Sequence, residues 1–152
     1  MSNILVPEKI IIHCSATTDT DDRNWDAIRR YHKETLGWND IGYHFGIEKV
    51  GESYRVLYGR RPYIKGAHCR ANGRNHDSLG VCFVGNFDEE PPNEHQWDLG
   101  VRLVGSLCIA HQISPTYIYP HNKFEEYKTC PGKKFDMSSF VCYVARHMSR
   151  SY

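Results

Sequence analysis

Residues 9–14, KIIIHC, set three isoleucines in a row with no alternation of polar and apolar positions. A short β-branched run of this kind, bounded by polar residues, reads as a buried strand, here ending at His13. Residues 79–84, LGVCFV, are again nearly all apolar and read as a central strand. Residues 43–50 and 53–58 read as a pair of short strands around a turn at Gly51, and residues 116–119 as a short strand that delivers His121 just past its end.

Helical patterns separate these runs. Asp21 or Asp22 can cap a helix reaching about Leu36, with Trp25, Ile28, His32 and Leu36 at roughly helical spacing and Gly37 closing it. Pro91 and Pro92 block any helix before them, and Asn93 with Gln96 three residues on forms a capping box. Trp97, Val101, Val104, Cys108 and His111 then fall on one stripe that would cover a sheet face. Asp136 or Ser138 starts a last helix with Phe140, Val141, Val144 and His147 turned inward. Strands alternating with helices imply an α/β sandwich, one central mixed sheet flanked by helices, as a single domain over residues 1–152. Residues 59–78 show no periodicity and read as a long irregular connection, the kind of loop that usually carries a function.

Bulk properties exclude several function classes. Nineteen basic residues against eighteen acidic ones leave a formal charge of +1, so no strong field draws the chain to nucleic acid or to an anionic membrane. The opening MSNILVPEKI lacks the basic and apolar regions of a signal peptide, and the run VRLVGSLCIA is too short to span a bilayer and holds Arg102. The expectation is a chain made in the cytoplasm, without stable membrane association, and monomeric. Six cysteines form no CxxC pair, which argues against zinc ribbons and thioredoxin-like chemistry. Cys14, Cys82, Cys108 and Cys142 lie in apolar runs and read as buried thiols.

His13, His121 and Cys130 each stand where a strand-like run gives way to a loop. Two imidazoles and one thiolate would hold zinc and leave its fourth position open to water, the arrangement of a hydrolytic site. In an extended loop residues two apart point the same way, which would put Lys128 beside Cys130 and its ammonium toward the metal, where it could hold an oxyanion. Cys130-Pro131-Gly132 has the residue chemistry of a type II turn. Seen one at a time, each of these histidines is an ordinary surface or hydrogen-bonded residue, and Lys128 a solvated lysine.

The segments IIIHCSAT, GWNDIGYHFGI, GAHCRANGRNHDSLGVCFVGNF and HNKFEEYKTCPGKKFD together resemble, in order and spacing, the zinc-dependent N-acetylmuramoyl-L-alanine amidases of the type 2 family and the peptidoglycan recognition proteins that share their fold. The resemblance covers nearly the whole chain. It implies that His13, His121 and Cys130 are the zinc ligands, that Tyr43 assists the zinc-bound water, and that Lys128 is the catalytic lysine. It also implies that His68 lies at the edge of the substrate groove, with Asn75 in the same loop. Strand alternation agrees with Tyr43 over His44, since adjacent side chains face opposite sides, and leaves His44 a structural histidine. Gly66, Gly73 and Gly80 read as backbone devices. His121 precedes Cys130 by nine residues, a slightly longer connection than the family pattern, and Glu125 with Glu126 reads as a solvated charged face.

The implied activity is hydrolysis of the bond between N-acetylmuramic acid and L-alanine in peptidoglycan, in a phage endolysin that reaches the wall once the membrane is breached. A wall-recycling or effector amidase would look similar. A non-catalytic peptidoglycan-binding module is the alternative from another class, disfavoured because relatives of that kind typically lose the cysteine. A zinc-stabilised nucleic-acid domain would need four closely spaced ligands and a basic surface.

Overall fold

A computed structural model describes residues 4–18, 20 and 24–150. Five strands form one sheet: β1 (Lys9–Cys14), β2 (Phe45–Val50), β3 (Ser53–Tyr58), β4 (Ser78–Phe83) and β5 (Ile118–Pro120), in the order β3-β2-β4-β1-β5. Only β2 and β3 are antiparallel, the hairpin around Gly51; β2–β4, β4–β1 and β1–β5 run parallel, so the sheet is mixed. β1 has a bonded neighbour on each edge and cover on each face. Ile10, Ile11 and Ile12 are accordingly fully buried, which is why its sequence carries no polar alternation.

The two faces of the sheet have different tasks. Ile10, Ile12, Cys14, Phe45, Ile47, Leu79, Val81 and Phe83 pack against Val101, Val104, Leu107 and Cys108 of α2 (Glu94–His111) and Phe140 and Val144 of α3 (Met137–Arg150). This is the main core. The opposite face carries a smaller cluster of Trp25, Ile41, Cys82 and Val84. Side chains alternate along a strand, so His13, between Ile12 and Cys14, is turned to this thinner face.

Helix ends explain where the sequence reading slips. The Asp21 and Asp22 cap lies outside the described residues; Asn24 caps α1 (Trp25–Arg30), its side chain accepting the Ala27 N–H at 3.0 Å. The chain then widens into a π-helical turn over Tyr31–Thr35, and the change of pitch leaves Leu36 exposed instead of on the buried stripe. Asn93 does cap α2, accepting the His95 N–H at 2.8 Å. Gln96, however, makes no capping box. Its amide is buried and donates to Ile47 O at 2.9 Å, which also accepts the Val84 N–H at 3.0 Å, and to Val84 O at 3.1 Å, just past the end of β4. Asp136 starts α3 by accepting the Ser139 N–H at 3.0 Å.

Cys14, Cys82 and Cys108 are buried as expected, but Cys142 is exposed. It stands two residues from both Phe140 and Val144, which at 100° per residue places it on the far side of the helix. Residues 59–77 form a loop folded over the thin face, with a short helical turn over Ala71–His76 broken by left-handed Asn72 and Gly73, and Ser78 already belongs to β4.

Candidate metal centre

Three segments bring three donors together. β1 delivers His13, 1% exposed; β5 ends at Pro120 and hands His121, 4% exposed, to a short turn; Cys130 follows in the next turn. The His13 and His121 rings lie 4.4 Å apart between centroids, and His13 Nδ1 is 3.8 Å from Cys130 Sγ. One donor atom from each of His13, His121 and Cys130 falls within 4.8 Å of the other two. Ligands of a tetrahedral zinc lie roughly 3.3–3.6 Å from each other, so a small inward adjustment closes the set. Two imidazoles and a thiol are zinc donors by chemistry, and the site fits that ion.

Hydrogen bonds behind the donors orient them. His13 turns Nδ1 toward Cys130, and its Nε2 is 2.9 Å from His68 Nδ1. A proton on His13 Nε2 donates to His68, whose own Nε2 is then left to face the Ser78 carbonyl and hydroxyl, each at 3.4 Å. This chain sets the tautomer that leaves His13 Nδ1 with a free lone pair, the arrangement that metal-binding histidines use. Burial, reinforced by the neighbouring His68 and His121, holds the His13 pKa well below its ordinary value. Burial takes His68 down to about 3, His44 down to about 4, and lowers His121 as well. The imidazoles are therefore neutral at physiological pH, as ligands must be.

Cys130 Sγ accepts the Cys14 N–H at 3.2 Å. A hydrogen bond shared with the Cys14 thiol, and burial next, push the Cys130 pKa up; a bound cation would favour its thiolate. The Cys130–Pro131 peptide is cis; the Gly132 N–H donates to Thr129 O at 2.7 Å and the Lys133 N–H to Asp88, so the turn closes over residues 129–132 and the type II turn read from the sequence is not formed. Asp88 ties this turn down, accepting from Thr129 Oγ1 at 2.7 Å and from the Lys133 N–H at 2.8 Å.

Tyr43 precedes β2 and packs its ring 5.1 Å from His13 and 6.2 Å from Trp25. Burial raises its pKa well above the ordinary phenol value, with the Cys82, Cys130 and Cys14 thiols adding to it, so the hydroxyl keeps its proton. His44 is structural: Nδ1 accepts the Gly80 N–H at 3.0 Å and Nε2 lies 2.7 Å from Ile64 O. Lys128 reaches the centre through Glu125, its Nζ 3.2 Å from the Glu125 Oε2 that also lies 2.8 Å from His121 Nε2.

His68 is 8% exposed and sits behind His13. Asn75 faces inward with its oxygen, accepting the His68 and Cys69 N–H groups at 2.9 and 2.8 Å, which shapes the loop that carries His68. Glu125 is not on a solvated face, with 11% of its side chain exposed, whereas Glu126 is exposed as expected.

Residues 4–133 match the family model described as N-acetylmuramoyl-L-alanine amidase. The chain belongs to the N-acetylmuramoyl-L-alanine amidase family. It is 34% identical over 137 residues to the endolysin of Enterobacteria phage K11, covering 88% of this chain and 84% of that one. With the endolysin of Enterobacteria phage T3 it shares 45% identity over 83 residues, 55% of this chain. That match, like the one to the endolysin of Escherichia phage T7, spans about half of the relative's length, 51%. Among solved structures, the N-acetylmuramoyl-L-alanine amidase LysC from Clostridium intestinale superposes with a TM-score of 0.78 at 27% identity, covering 93% of this chain and 87% of that one. Drosophila peptidoglycan recognition protein SD superposes with a TM-score of 0.73 at 26% identity, covering 88% and 80%.

Beside the ligands expected in this amidase family, sequence reasoning missed Asp88 and Glu125. Asp88 carries no local signal, since its partners lie 41 and 45 residues away. Glu125 had one: it stands four residues after His121, a spacing that brings side chains together across a helical turn.

Proposed function

We propose that the protein is a zinc-dependent hydrolase that cuts the amide bond between the lactyl group of N-acetylmuramic acid and L-alanine in peptidoglycan, acting in phage lysis. The carrying observation is the convergence of a thiol and two neutral imidazoles, from three distant segments, on one point in a chain of this amidase family. Zinc held by His13, His121 and Cys130 would supply Lewis acidity and an activated water at neutral pH. Around it, Tyr43 presents a protonated phenol that can orient the water or donate to the scissile carbonyl. Lys128 offers an ammonium to the oxyanion that develops at that carbon. His68 holds His13 in the ligating tautomer and is a positioning residue, as is Asn75 through the His68 loop.

Among the described residues no helix is long and apolar enough to cross a membrane. The reading is of a monomer made in the host cytoplasm, which meets its peptidoglycan substrate at the wall after the membrane is breached. A non-catalytic peptidoglycan-binding role is the second reading, motivated by the likeness to recognition protein SD. Such a module needs neither a thiol beside the two histidines nor a lysine tied to one of them through Glu125, and both are kept here.

The test joins metal content to product mass. Wild-type protein is expected to carry one zinc per chain and to release free stem peptides from purified sacculi; Cys130→Ser should lose both. Stem-peptide release by zinc-free Cys130→Ser protein refutes the assignment, and zinc retention without any release favours the binding module.

A further inference from the structure

We propose that Glu125 is a positioning residue of this centre: one carboxylate oxygen holds both the His121 ring and the Lys128 ammonium, coupling a zinc ligand to the oxyanion-binding cation. The proposal rests on the zinc reading of His13, His121 and Cys130 given above.

The geometry is a three-residue clamp within one short segment of chain, with spacings of four and three residues. Glu125 Oε2 lies 2.8 Å from His121 Nε2 and 3.2 Å from Lys128 Nζ. The turn is built for it: Glu125 N–H donates to His121 O at 3.2 Å, and Lys128 N–H donates to Glu125 O at 3.0 Å. The carboxylate also sits against the Ala71 backbone N–H, which ties the turn to the 70–76 loop. A glutamate placed for solvation would not be withdrawn to 11% exposure while its neighbour Glu126 stays out in water.

Chemistry gives each contact a purpose. An imidazole has two nitrogens, and Nε2 of His121 faces Glu125, which leaves Nδ1 to meet a cation beside His13 and Cys130. His121 Nε2 is buried and makes no aligned hydrogen bond; Glu125 Oε2, 2.8 Å away, is the acceptor beside it, and a small turn of the ring or carboxylate would let it take the proton. A carboxylate behind a ligating histidine orients the ring and raises its basicity, and loss of such a group typically costs about 10–100-fold in metal affinity or activity. Lys128 is 44% exposed and long, and Glu125 is its ion-pair partner among the described residues. An isolated pair at that exposure would count for little. Here the same oxygen fixes it relative to a buried ligand.

A different role for the same atoms is separable by experiment. Cys69 Sγ, a His121 nitrogen and a Glu125 oxygen also fall within 4.8 Å of one another, so the carboxylate is placed either to support a ligand or to be one for a second ion. Zinc stoichiometry distinguishes the two.

Wild type, Glu125→Gln, Glu125→Asp and Glu125→Ala would be compared for zinc per chain, zinc affinity against a chromophoric chelator, and turnover of a soluble muramyl peptide. The His121 side-chain nitrogen signals in ¹⁵N spectra of zinc-loaded protein report its tautomer. Expected are one zinc in every variant, affinity lowered about 10–100-fold in Glu125→Gln, kcat lowered with KM little changed, partial recovery in Glu125→Asp, and a shifted Nε2–H signal. A merely structural glutamate would change melting temperature and leave the affinity and the nitrogen signal alone. Unchanged zinc affinity and kcat in Glu125→Gln overturn the proposal, as does a second zinc that only Glu125 variants lose. If Glu125→Ala does not fold, the near-isosteric Gln carries the test. Failure of the wild type itself to bind zinc would instead sink the underlying reading of the site.

Discussion

Gly80 lies in β4 directly beneath the His68 ring, and its replacement by alanine would reach the metal centre without touching a ligand. A Cβ built there meets His68 Cγ at 2.5 Å and its Cδ2 and Nδ1 at 2.8 Å, where ordinary contact begins near 3.4 Å. The ring must therefore rise by about 0.6–0.9 Å. It has little room to do so, being held by His13 at 2.9 Å on one side and by Ser78 at 3.4 Å on the other. Overpacking of this kind costs typically 1–3 kcal/mol; about 2 kcal/mol corresponds to a melting temperature lower by about 4–8 °C in a chain of this size. The displacement also strains the bond that fixes the His13 tautomer, so zinc affinity should fall by about tenfold or more. Calorimetry of metal-free protein and chelator competition read the two effects. Adding His68→Ala to Gly80→Ala removes the clash, so the double variant should be more stable than additivity predicts. Wild-type stability and zinc affinity in Gly80→Ala, or strict additivity in the double variant, would refute the account.

Metal-free protein should lose stability as pH falls from about 6.5 toward about 4. His44 and His68 have pKa values depressed by burial to about 4 and about 3, so in this window the unfolded chain binds more protons than the folded one, and stability rises with pH. Each contributes up to about 1.4 kcal/mol per pH unit, readable as a melting temperature that drops on acidification, and a flat profile would contradict it. Gln96→Leu should cost about 1–2 kcal/mol by removing the amide donor from Val84 O and one of the two donors to Ile47 O while leaving zinc affinity unchanged, measured by denaturant unfolding and the same chelator competition.

Much of the architecture was legible because strands and helices announce themselves through local period. Residues 9–14 and the stripe from Trp97 to Cys108 follow from burial on two faces or on one, and each pattern is written within a dozen residues. The ligand set was legible for a different reason: the resemblance carried His13, His121 and Cys130 as a group. Side chains whose partners come from other elements were misread. Gln96 stands where a capping box would put it, yet the Ile47 and Val84 carbonyls outcompete the helix terminus for its amide. His68 gives no local sign of its contact with His13, 55 residues away, which arises where its loop crosses over Gly80 of β4.

What the sequence determined alone is thus the mixed α/β sheet, the segments that turn at its edge, and the three donors a zinc ion would require. Only the tertiary structure decided which buried group serves which donor: His68 behind His13, Glu125 between His121 and Lys128, Asp88 under the Cys130 turn. Periodicity is a property of neighbouring residues along the chain. A hydrogen bond across 41 or 55 residues depends on strand register and loop path, which exist only once the whole chain has packed.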